Sequence, residues 1–171
     1  MNIEHINLVI AAIEAAEPEQ VIAGDIAIDL DSKGGDTYCN TAACIAGWVS
    51  FALTKNFNYW LFEPHITGAR KALGITSNQA SQLFMMHYDA EVDENYKLAL
   101  RKLLNLPAHD DDDDEAYLNI DDIEQQQPDV ILDAFDKLPP EVRKRASINV
   151  LTLLRDTNTV DWLKAIQTAL A

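Results

Sequence analysis

The sequence predicts a mainly α protein, a compact multi-helix domain, and three observations carry that prediction. Apolar residues recur at three- and four-residue spacing along most of the chain. Prolines, a glycine and a capping-box signature fall where those apolar stripes begin and end. Strand-like alternation is limited to one short stretch, leaving room for at most a small two-stranded β element near residues 24–62. There is no internal repeat.

In the first helix Ile3, Ile6, Ile10 and Ile13 share one face while Asn2, Glu4, Asn7 and Glu14 lie on others, and Pro18 closes it. Ile26, Ile28 and Leu30 then alternate with smaller or polar residues, the pattern of a short strand, and 31–36 is turn-forming in composition. A helix of small and aromatic residues is expected from about Thr41 to Leu53. The aromatic stretch 56–62 fits either a strand or a short helix. A short helix over 66–73 stops at Gly74. Thr76-Ser-Asn-Gln79 has capping-box form and opens a helix to about Met86.

In the second half, Tyr96, Leu100, Leu103 and Leu104 mark an amphipathic helix ending near Pro107. Pro128 suits the first position of another, with Ile131, Phe135 and Leu138 inward. Pro139 and Pro140 break the chain, after which Val142, Ala146, Val150 and Leu153 form a stripe. Trp162, Leu163, Ile166 and Leu170 define the last helix.

A length of 171 residues with 48% apolar content fits one domain over 1–171 and excludes wholesale disorder. Within it we distinguish a near-neutral part, 1–88, an acidic segment, 89–136, and C-terminal helices, 137–171. The first ten residues carry Glu4 and no Lys or Arg, unlike a secretory signal. The longest apolar run, Ala42 to Leu53, is interrupted by Gly47 and Ser50 and is well short of the roughly 20 residues that span a bilayer. Two cysteines, Cys39 and Cys44, are too few for a disulfide-built fold. The expectation is a protein of a reducing cytoplasm.

The formal charge is −15, and it is regional. Residues 89–136 hold 16 acids against Lys97, Arg101 and Lys102, so −13 falls there and −2 on the remainder. Such a balance disfavours direct contact with nucleic acid phosphates or an anionic membrane and favours basic partners. Asp110, Asp111, Asp112, Asp113, Asp114 and Glu115, with Asp121, Asp122 and Glu124, are the candidate partner-binding residues. The plain account of this run is a solvated, self-repelling loop. The sharper one is an acidic face that imitates phosphate spacing and occupies a basic groove on another protein. A calcium loop starting at Asp110 fails, because its sixth position is Glu115 where an EF-hand requires Gly. The cluster Arg143, Lys144 and Arg145 is expected to face the acidic segment or solvent.

The stretch Cys39-Asn-Thr-Ala-Ala-Cys-Ile-Ala-Gly-Trp48 is the most distinctive. If Asn40 or Thr41 caps the helix, Cys39 lies just outside and Cys44 in its first turns, where the helix N-terminus favours a thiolate. Cys39 is then the candidate nucleophile, with His65 or His87 as bases. A packing account explains more residues: Ala43 and Gly47, and Ala42 and Ala46, bare one helix surface for close approach, while Trp48 and Phe51 fill the space beside it. Zinc is not expected from a Cys-x4-Cys spacing with His5, His65, His87 and His109 dispersed.

Cys39, Thr41, Cys44, Gly47 and Trp48, followed by Ala69, Ala72-Leu-Gly-Ile75, Gln79-Ala80 and Leu83-Phe84, resemble a family of small uncharacterised proteins of phages, prophages and plasmids. Members typically show Cys-Gly-Thr-x-x-Cys-x-Ala-Gly. The likeness covers roughly 24–88, with Asn40 where the family has Gly, and does not extend past residue 90. It implies a mobile-element setting and no particular reaction. The expectation is a non-enzymatic acidic binding protein without cofactor or metal, of the kind that inhibits a host nucleic-acid-binding defence protein such as a CRISPR effector. The alternatives are a cysteine-dependent enzyme using Cys39 and a self-associating module marked by exposed Trp48, Trp60 or Trp162.

Overall fold

A computed structural model describes residues 1–22, 44–55, 57, 65–85, 94–106 and 130–171. These form eight α-helices and one short 3-10 turn, with no strand pairing into a sheet among the described residues. The mainly α class is therefore correct. The suggested strand at 26–30, the turn at 31–36 and Pro128 lie outside the described residues.

α1 (Ile3–Ala15) begins where Asn2 accepts a hydrogen bond from His5 N, a side-chain cap for an otherwise unpaired amide. It buries Ile6, Val9, Ile10 and Ile13, and Pro18 opens the 3-10 turn Pro18–Gln20 that follows. α2 (Ile45–Thr54) starts four residues later than expected, with Cys44 at its N-cap in extended conformation. It is buried almost throughout and ends on Lys55 in the left-handed region.

α3 (His65–Leu73) stops at Gly74, whose φ of +61° suits a residue without Cβ. The chain start packs there: Asn2 N donates to Leu73 O at 2.7 Å, and His5 Nδ1 donates to Ala72 O at 2.7 Å. A carbonyl only accepts, so the proton sits on Nδ1. α4 (Ser77–Met85) has the capping box that the sequence announces, with Gln79 N donating to Thr76 Oγ1 at 3.1 Å and Thr76 N to Gln79 Oε1 at 3.0 Å. α5 (Glu94–Leu103) is followed by Asn105 at φ +60°, and α6 (Val130–Asp136) buries Phe135.

α7 (Pro140–Thr157), with Pro140 in its first position, is the central element and packs against α1, α6, α8 and the 3-10 turn. α8 (Trp162–Leu170) lies along α7 and contacts α5. The inner stripes differ in detail from expectation. On α7 the line through Val142, Ala146 and Val150 continues to Leu151 and Leu154, while Leu153 is half-buried. On α8 the buried set is Trp162, Ala165, Ile166 and Ala169, while Leu170 is 47% exposed at the last turn. One continuous apolar core runs from Ile6 to Ala169, so helices from both ends of the chain share it.

Polar contacts lock the helix ends together. Trp162 Nε1 donates to Gln82 O at 2.9 Å. Tyr96 OH donates to Asp161 Oδ1 at 3.2 Å and accepts from Leu163 N at 3.0 Å, joining α5 to the start of α8.

Candidate functional site

Two regions were singled out by sequence, and the structure treats them differently. Asp110 to Asp114, Glu115, Asp121, Asp122 and Glu124 all lie outside the described residues. So do Cys39 and Thr41. Cys44, Gly47 and Trp48 are within them and are all buried.

The described part of the cysteine motif serves packing. Cys44 is 5% exposed and is a thiol, not half of a disulfide. It stands at the N-cap of α2, correcting the expectation that Asn40 or Thr41 caps the helix with Cys44 inside it. Gly47 lies in the first turn, and Trp48 sits edge-on to Phe51 and Phe57 with ring centroids 5.5 and 5.0 Å away. Phe51 and Phe57 stack at 4.6 Å. Such aromatic geometries add to area burial by about 0.5–1.5 kcal/mol per pair. Trp48 Nε1 has no hydrogen-bond partner among the described residues.

Trp48 and Trp162 are 3% and 2% exposed, so neither marks a self-association surface. Trp60 and His87 lie outside the described residues. His65 begins α3, and His5 is engaged with Ala72 O. Among the described residues no three His, Cys, Asp or Glu side chains gather in metal-binding geometry. No described helix is long and apolar enough to cross a membrane.

The basic cluster is used differently from expectation. Lys144 Nζ donates to Glu14 O at 2.8 Å and Ala16 O at 2.7 Å, placing its charge at the negative end of α1. Arg143 is buried and donates through Nη1 to Asp136 O at the end of α6. Arg145 is exposed. Two of these three cations therefore hold helix C-termini. The sequence alone did not reveal this, because the acceptors are backbone carbonyls far away in the chain.

Ionisable residues divide unevenly: residues 89–136 carry −13 of the −15, and the rest of the chain −2. Asp156 is a local exception to the dispersed surface charge: its hydrogen bond from Arg155, 2.7 Å to Nε, holds it below the usual carboxylate range.

A small cavity was not anticipated. It lies where the start of α2 meets α4, α6, α7 and α8, and Cys44, Ile45, Phe84, Phe135 and Ser147 are on its wall. The sequence signal for it was slight. Ser147 stands at helical spacing with Val150 and Leu154, so a hydroxyl interrupts an otherwise inward stripe. Comparison with family models, with curated proteins and with solved structures finds no match to this chain.

Proposed function

We propose that this chain is a non-enzymatic binding protein of mobile-element type whose acidic run engages a basic surface on a partner protein. The partner class favoured by the charge is a host nucleic-acid-binding protein, with the run taking the place of phosphates, as in a DNA-mimicking inhibitor of a defence system. One observation carries the reading: residues 89–136 hold −13 of the −15 while the rest of the chain holds −2. A bias that only kept the protein soluble would be spread along the chain. The likeness of the cysteine motif to phage and plasmid proteins supports the setting. Neither nucleic acid nor membrane is a partner in this reading, since both are anionic.

The test is capture from a host lysate by the intact chain and by a variant with Asp110 to Asp114 changed to Asn. A nucleic-acid-binding protein retained by the intact chain, released as salt rises and weakened by the variant, supports the proposal. Binding that is indifferent both to salt and to the five substitutions sinks it.

A further inference from the structure

Arg143 belongs to the first turns of α7, yet its side chain runs back past the helix start, since Nη1 donates to Asp136 O at the end of α6. The residue is 9% exposed, and its Nε is buried without a hydrogen-bond partner. It forms no ion pair among the described residues. Buried arginines are ordinarily matched by an anion, and one peptide carbonyl supplies only part of a charge.

The helix start adds to the imbalance. α7 is 18 residues long, Pro139 caps it without a side-chain bond, and Pro140 has no N–H to offer. Val142 N and Arg143 N both turn to Pro139 O, at 2.8 and 3.1 Å, while Glu141 N donates to no described residue. The positive end of the helix dipole therefore stands where a cation is already buried, an arrangement that disfavours the cation and attracts an anion. Lys144 spends its charge on the end of α1. Glu141 and Arg145 on the same turns are both exposed and opposite in sign.

We propose that the corner between α6 and α7 is a binding site for a small oxyanion, a phosphate or carboxylate group, taken on the Nε–Nη2 edge of Arg143 beside the open start of α7. That edge presents two parallel N–H groups, which match two oxygens of one such group, and Nη1 stays with Asp136 O. A neutral acceptor would satisfy Nε but leave the charge unmatched. Because Arg143 also holds the last carbonyl of α6, occupancy ties that helix to α7.

Sodium phosphate and sodium acetate, each titrated into the full chain with sodium chloride holding the ionic strength constant, test the assignment. At least one of them is expected to raise the thermal midpoint saturably, by about 2–4 °C at roughly 10 mM. The response to each probe separates a tetrahedral from a planar ligand. In proton–nitrogen correlation spectra of the folded chain, the Arg143 Nε–H resonance should move over the same concentrations. Arg143→Lys keeps the charge without the fork and should lose most of the increment, whereas Arg145→Gln, at an exposed cation nearby, should keep it. No saturable rise with either probe, or an Nε–H resonance that stays still, overturns the proposal. An increment that Arg145→Gln removes as fully as Arg143→Lys reports diffuse surface charge and overturns it equally.

Discussion

The helices of α1, α7 and α8 and the acid-rich stretch around residue 110 solve opposite physical problems. The helices bury a core continuous from Ile6 to Ala169 and spend their cations on one another's ends, as Lys144 does at α1 and Arg143 at α6. The stretch from Asp110 to Glu115 places six acids in succession, with no apolar residue to bury. Like charges at that density repel one another, so such a run contributes little to a core and gains most from an external cation. The contrast teaches that the net charge describes neither region: stability belongs to one and, in our proposal, recognition to the other.

The strongest way to break that division is to damage the helical part. Trp162→Ala removes an indole that packs edge-on to Phe135 at 5.2 Å and donates to Gln82 O. We expect a loss of about 3–5 kcal/mol in denaturant unfolding. Changing Asp110 to Asp114 to Asn should have the reverse profile. Partner binding should fall by about two orders of magnitude, with a weaker salt dependence, as charge-pair coupling predicts. The unfolding midpoint should stay level or rise slightly through relief of repulsion. A large loss of stability in that variant would show that the acids belong to the fold and would dissolve the comparison.

Smaller effects sharpen it. Lys144→Met leaves the Glu14 and Ala16 carbonyls without their cation and should destabilise by about 1–2 kcal/mol, while Arg145→Gln, at an exposed position, should change stability by less than about 0.5 kcal/mol. Asp156→Asn should have the least effect. The folded-state pKa of Asp156 is lowered by Arg155, so its contribution is present above the unfolded carboxylate pKa and lost as pH falls through the folded value. The variant should be slightly less stable than the parent near neutral pH and match it in strong acid, the small difference closing as pH falls through the folded value. Unfolding midpoints measured across a pH series check this.

Helix identity was legible where local chemistry decides it. The Thr76-Gln79 box and the stop at Gly74 each depend on a few neighbouring residues, and both occur as read, while the helix expected after the Pro139-Pro140 break begins on Pro140 itself. The start of α2 was misplaced because Asn40 and Thr41 are good caps by type, whereas Cys44 takes the position in the structure. The exposure of Leu170 was equally hidden, since periodicity reports a face and not where its partner ends.

By itself, the sequence determined the mainly α class, most members of the apolar stripes and the location of the charge, because propensity, period and residue count are properties of short segments. Tertiary structure alone decided that Lys144 serves α1, 128 and 130 residues away, and that His5 serves Ala72, 67 residues away. It also brought Ser147 and the start of α2 to the wall of one small cavity. These pairings join groups distant in sequence through backbone carbonyls and amides, which every residue possesses, so only packing selects which of them meet.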